Sequence, residues 1–311
     1  MDAPLISLCM IVKDGGAALT RCLDSVRGVV DEVVVVDTGS GDDSVLRAQA
    51  AGARVLRHAW DDDFAAARNV SLAAARGRFI LLLDADEWFE PPRPIALRDV
   101  VQRPGHLGWF LPIVSPLAGG ERLDSTILRL WRHSPQVRFR FAIHEQVLPD
   151  LEVQAAATGE RFALVDDVKI AHDGYTPAAI AAHGKVERNL RLFRKAIAQH
   201  PDEAYLHYKF ADFLRGQGGR KAEALPVAER ALELARATVA GGGRQPAYWA
   251  ELLTIVVAAR LEAGRKVDAL ALLGQEPPAE LASPAYSYVA ALAREAAGEF
   301  DRALAHVREC V

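Results

Sequence analysis

Cysteine is scarce in this chain. The three present, Cys9, Cys22 and Cys310, have neither CxxC spacing nor an even count, which leaves a disulfide framework or structural zinc site without support and points to reduced thiols. Long apolar runs are also missing. The first, Leu5 to Val12, lacks a basic start, is far shorter than a membrane span and is closed by Lys13 and Asp14. A cytoplasmic protein without a transmembrane segment is expected. Nor is there an excess of positive charge: 37 basic against 41 acidic residues leave a formal charge of -4, so a nucleic-acid partner is not expected. What is present, 50% hydrophobic and 25% charged residues over 311 positions, suits ordinary globular folding in two domains.

The N-terminal half alternates strand and helix signals. LISLCMIV is a buried-strand run followed by the turn residues Gly15 and Gly16; Leu19, Cys22, Leu23 and Val26 recur at helical spacing; VVVV ends at Asp37. Helix at 46–51, strand at 53–57, helix at 65–75 and the FILLLD strand continue the alternation, which predicts an α/β domain with a mainly parallel sheet. Such sheets bind ligands at their carboxyl edge, where Asp37 and the Asp84–Asp86 cluster both fall. From Gly105 to Asp167 the pattern loosens into short strand-like pieces such as WFLPIV and STILRLW, and beyond Tyr175 only alanine-rich helical periodicity remains. Gly219, Gly264 and Gly298 are each followed five residues on by an Ala-Leu pair. Their 45- and 34-residue separations predict a tetratricopeptide-like array. The expected domains are 1–175, a connecting helix at 176–200 and repeats at 201–311, with the boundary near 173–185.

In LLLDADEWF, Asp84 and Asp86 stand two residues apart, so extended backbone would point both carboxylates the same way. Two adjacent anions need a counter-charge, and Mg²⁺ or Mn²⁺ supplies one while bridging to phosphate oxygens. Glu87 adds a third acid. Asp37 is open to two roles, accepting from a nucleobase or fixing a turn, and Gly39 beside it lets backbone approach a ligand. Arg68 could fork to a diphosphate. His144-Glu145 and His172, read alone, are structural residues.

Taken in order, ISLCMIVKD, CLDSV, DEVVVVDTGSGD, DDFAAARN, FILLLDADE, AIHEQV and KIAHDGY resemble glycosyltransferase family 2, whose fold is the Rossmann-like GT-A fold. The similarity is close over residues 5–90, thins over 91–135, then returns through His144, Glu145 and His172 into Arg188-Asn189-Leu190. That later stretch resembles a bacterial subgroup carrying tetratricopeptide-like repeats. The resemblance implies inverting transfer from a nucleoside diphosphate sugar, UDP-sugar first, to a peptide, protein or cell-surface glycan. It puts Val12, Asp37, Gly39 and Arg68 on the nucleotide, and Asp84 and Asp86 on the diphosphate through Mn²⁺ or Mg²⁺. His172 would complete the metal site. Glu145 takes the region of the catalytic carboxylate, with Asp124 the second candidate. Two departures stand out: Gly15-Gly16 replace an acidic pair, and Gly41 replaces a threonine although Asp42 remains.

Two other classes of function compete with the transferase. A non-catalytic repeat scaffold with a retired catalytic domain would show damage at the DxD or nucleotide positions, which are all intact. A nucleotidyltransferase would want a glycine-rich, basic loop after the first strand, which KDGGAAL does not supply. The repeats are open to recruiting the acceptor, to stabilising the enzyme or to pairing two copies.

Overall fold

The computed structural model describes residues 3–91, 94–116, 122–172, 184–273 and 284–309. Cys310 and most of the predicted boundary at 173–185 lie outside the described residues. The chain divides into two compact units, Met1–Leu192 and Phe193–Val311.

In the first unit, β1 (Ile6–Val12), α1 (Gly16–Ser25), β2 (Glu32–Asp37), α2 (Ser44–Ala50), β3 (Arg54–Arg57), α3 (Phe64–Ala74) and β4 (Phe79–Leu82) follow one another. The strands pair in parallel in the order β3-β2-β1-β4. Alternate residues of a strand serve opposite faces, and here both faces are covered. Leu8, Met10 and Leu81 pack with Leu19, Cys22 and Leu23 of α1. Cys9, Ile80 and Leu82 pack with Ala65 and Leu72 of α3. Each such aliphatic burial stabilises by roughly 1.5–3 kcal/mol, which is why these runs carry no polar alternation.

Beyond β4 the sheet becomes mixed, through β5 (Glu87–Phe89), α4 (Leu97–Val100), β6 (His106–Pro116), β7 (Arg122–Arg132), α5 (Leu148–Thr158), β8 (Arg161–Leu164) and β9 (Ile170–His172). The order continues β4-β7-β6-β9-β5, with β8 on β6. β6 and β7 are full 11-residue antiparallel partners with a bulge between Trp109 and Phe110, where the sequence suggests only short pieces. Pro112 opposite Thr126, in mid-strand, interrupts the apolar pattern that would have revealed them. α5 is a further addition; Leu151 is its one buried residue, so its helical periodicity is faint, although Pro149 opens it and Gly159 closes it at φ 72°.

The second unit is helical. α6 (Lys185–Gln199) runs across the division, followed by α7 (Ala204–Gly216), α8 (Lys221–Ala240), α9 (Trp249–Glu262), α10 (Lys266–Leu273), α11 (Pro284–Ala296) and α12 (Phe300–Glu309). The alanine of each repeated pair is the packed member: Ala224, Ala269 and Ala303 are buried, whereas Leu304 is exposed. Gly264 and Gly298 end their helices at φ 74° and 81°, with Arg265 and Glu299 donating back to the carbonyls of Arg260 and Arg294. Gly219 has no positive φ, so the first pair turns differently. No helix among the described residues is long and apolar enough to cross a membrane.

Candidate active site

The carboxyl ends of β1, β2 and β4 open on a cleft of about 690 Å³, and the loops along its rim are laced together. Asp14, at φ 53°, accepts from the Gly41 N–H (2.6 Å) while its own N–H donates to Ser40 Oγ (2.9 Å). The N–H groups of Gly15 and Gly16 donate to Ser44 Oγ, and Gly16 also donates to Asp42 (3.0 Å). This explains the departure at Gly15-Gly16. A Cβ on Gly15 would lie 2.8 Å from Val12 Cγ2, and Gly16 sits at φ 47°. The positions are used for close packing and a left-handed turn, so a side chain at Gly15 would displace Val12 and one at Gly16 would be strained.

The DxD segment is a turn, not extended backbone. The Glu87 N–H donates to the Asp84 carbonyl (3.0 Å) and Glu87 Oε2 accepts from the Asp84 N–H (2.9 Å), so the two aspartates diverge. Asp84 turns inward to Arg68 Nη2 at 2.6 Å, with Arg129 Nη2 3.7 Å away. Loss of water pushes the Asp84 carboxyl up, but the two guanidiniums outweigh it and hold the group well below the usual carboxylate range. Glu87 is buried and paired to Arg129 at 2.5 Å, so the third acid is a strut. Asp86 faces His172, with Oδ2 3.6 Å from Nε2, and this neighbouring carboxylate holds the imidazole pKa above its ordinary value. Ser115 Oγ lies 3.0 Å from His172 Nδ1 and orients the ring.

Glu145 arrives on a narrow loop. Arg140 and Gln146 exchange backbone hydrogen bonds (2.9 and 3.1 Å) around it, and Phe141 and His144 take left-handed φ of 74° and 51°. Asn69 clamps the segment leading into this loop, donating to the Phe139 carbonyl and accepting its N–H, both at 2.9 Å. Glu145 Oε1 then meets Arg68 Nε at 2.5 Å. One buried guanidinium thus bridges Asp84 and Glu145, and its Nη1 has no partner among the described residues.

Val12, Arg68, Asp84, Asp86, Glu145 and His172 all line the cleft. Asp37, Gly39 and Asp124 do not: Asp37 is buried with Oδ1 accepting the Ser40 N–H (3.0 Å), Gly39 takes φ 105° beside it, and Asp124 is exposed on β7 opposite Val114. Among the described residues no three His, Cys, Asp or Glu side chains converge as a metal site. Asp86 and the oriented His172 nevertheless offer one oxygen and one nitrogen donor side by side, which suits a hard divalent ion that takes its other ligands from phosphate and water. Sequence reasoning missed Arg129, Ser115 and the positioning role of Asn69. Arg129 did carry a signal, being a charge set inside the otherwise apolar run ILRLW.

Residues 7–137 match the model of glycosyl transferase family 2. A TPR repeat-containing protein of Synechococcus elongatus is 38% identical over 218 residues, covering 70% of this chain and 54% of its own. The prophage-derived glycosyltransferase SunS of Bacillus subtilis is 25% identical over 209 residues, 65% of this chain and 47% of its own. A solved mannosyltransferase of Pyrobaculum calidifontis, in complex with GDP-Man and Mn²⁺, overlaps at TM-score 0.46 and 17% identity, covering 88% of this chain and 87% of its own. The chain spans about half the length of the curated relatives it matches. With the DxD turn at the carboxyl edge of its α/β sheet, the chain carries a glycosyl transferase family 2 domain over residues 7–137, and its first unit has the GT-A fold.

Proposed function

We propose that this protein transfers a sugar from a nucleoside diphosphate sugar, UDP-sugar first, to a peptide, protein or glycan acceptor with inversion at the anomeric carbon. The observation that carries this reading is the pairing of Asp86 with His172 in the same cleft as Glu145, at the carboxyl edge of the parallel strands. Asp86 and His172 would hold Mn²⁺ or Mg²⁺, with Asp84 behind them fixed by Arg68 and Arg129. When bound, the ion neutralises charge developing on the leaving diphosphate.

This chain's own residues do the rest. The rim loops and Val12 seat the nucleotide, and Arg68 fixes Asp84 and Glu145 against one another. Glu145 is the base: Oε2 accepts no hydrogen bond from the described residues, while Oε1 is anchored, so the acceptor proton moves to Oε2. The acceptor lone pair forms the new bond to the anomeric carbon as the bond to the diphosphate oxygen breaks, and its electron pair departs with the nucleoside diphosphate. On this reading the helical hairpins of the second unit hold the acceptor, since stacked hairpins present an extended surface. The test is calorimetric titration with UDP- and GDP-sugars, with and without Mn²⁺, on the wild type and on Asp86→Asn and His172→Ala. One donor should bind in a Mn²⁺-dependent way that both variants lose. A folded wild-type protein that binds none of them overturns the proposal.

A further inference from the structure

The cation expected to meet the diphosphate, Arg68, is already committed. Its Nε and Nη2 hold Glu145 and Asp84 at 2.5 and 2.6 Å, and its remaining Nη1 is buried. Drawing Arg68 onto a phosphate would strip Glu145 of its counter-charge and leave Asp84 with Arg129 alone. Beside the divalent ion, a second side-chain cation is therefore the one free to meet the diphosphate.

Arg188, in the first turn of α6, lines the same cleft and is half-buried. The contacts it makes among the described residues are all neutral: Nε and Nη2 donate to Asn189 Oδ1 at 3.1 and 3.0 Å, and the guanidinium carbon stands 5.3 Å over the Phe64 ring. Phe64 is one helical turn before Arg68 on α3, so Arg188 stands over the same helix that carries Arg68. One turn further along α6, Arg191 forks onto Asp62 at 2.9 and 2.7 Å, and Asp62 also takes the Trp60 indole N–H. This fork fastens α6 to the loop before α3 and fixes where Arg188 stands.

The contrast with Arg191 is informative. Its carboxylate partner Asp62 raises its pKa, whereas burial, and after it Arg191 itself, lowers that of Arg188. A half-buried guanidinium held without an anion is costly unless an anion comes to it. Lys185, one turn earlier, and Lys13 across the cleft also line it, and neither has a carboxylate partner among the described residues. Resting on the transferase reading, we propose that Arg188, assisted by Lys185, is the phosphate clamp of this site and grips the diphosphate of the donor and of the departing nucleotide, while Arg68 serves as a positioning residue.

The test uses the full chain with UDP, UMP, GDP and inorganic pyrophosphate as probes, titrated calorimetrically in Mn²⁺. Arg188→Gln should weaken UDP, GDP and pyrophosphate by about 10- to 100-fold, the loss of a charge-assisted fork, with a smaller effect on UMP and an unchanged melting midpoint. Arg188→Lys should recover part of the affinity, because it keeps the charge and loses the fork. Lys185→Gln should cost less, its side chain being exposed. Wild-type binding of a nucleoside diphosphate with no change in either Arg188 variant overturns the clamp and leaves the transferase reading intact. Pyrophosphate bound through Arg188 with no nucleotide bound supports the clamp and removes the nucleotide-sugar reading. If the wild type binds none of the probes, both fall.

Discussion

The two ends of the same parallel sheet hold two buried polar clusters of opposite character. At the amino end, Glu32 is fully answered: Oε2 accepts from Ser7 Oγ (2.5 Å) and the Arg76 N–H (2.8 Å), Oε1 accepts from Arg76 Nε (2.8 Å), and the Gly77 N–H closes on Ser7 Oγ (2.8 Å). At the carboxyl end the groups are fixed but not exhausted. Arg68 Nη1 and Arg129 Nε lack partners, Glu145 Oε2 accepts nothing, and Arg188 meets only neutral groups among the described residues. A closed cluster contributes stability and does nothing else. An open one keeps donors and acceptors for a ligand, and the structure tolerates their cost because neighbours hold them in place.

Substitutions can break this contrast. The largest effect should come at the open end: Glu145→Gln should lower the transfer rate by about 10²- to 10⁴-fold, measured as donor turnover, while donor affinity is retained. Arg68→Met comes next, because it leaves Glu145 without its cation and Asp84 with Arg129 alone; denaturant unfolding should show a loss of about 2–4 kcal/mol, together with lost transfer. At the closed end, Gly77→Ala puts a Cβ 2.5 Å from Ser7 Oγ and 2.6 Å from the Ser7 backbone nitrogen. It should destabilise by about 1–3 kcal/mol in the same assay and leave the turnover of the folded protein near wild type. If Gly77→Ala instead abolishes turnover at full stability, the division between the two ends is wrong.

The smallest effect is pH-dependent. Burial pushes the Glu32 carboxyl up, but the bonds from Ser7 and Arg76 prevail, and its pKa lies below the ordinary 4.5. Between the folded and unfolded values the unfolded chain binds more protons, so stability rises with pH there. The contribution of Glu32 is present above pH 4.5 and is lost as pH falls through the lowered folded value. The stability gap between the wild type and Glu32→Gln, followed by urea unfolding at stepped pH, should shrink on acidification through that window. A gap that does not change with pH would remove Glu32 from the ledger of charged groups.

The parallel half of the sheet was legible because strands buried on both faces must be continuously apolar, and LISLCMIV and VVVV are. The antiparallel half was less so. β7 looks like a fragment until β6 lies beside it, and α5 buries too little to show its period. Asp84, Asp86, His172 and Glu145 were named from motif and resemblance, but not what each of them touches. The DADE segment reads as extended until the Glu87 carboxylate, held by Arg129, bends it.

By itself, then, the amino-acid sequence determined which segments must be buried and which charged residues close the strands, because those follow from periodicity along the chain. Only the tertiary structure decided that Arg68 is spent on Asp84 and Glu145, the latter 77 residues away, and that Arg188 meets only neutral groups among the described residues. Pairing is a property of distance in space, and in this protein the charges that matter to one another are far apart along the chain.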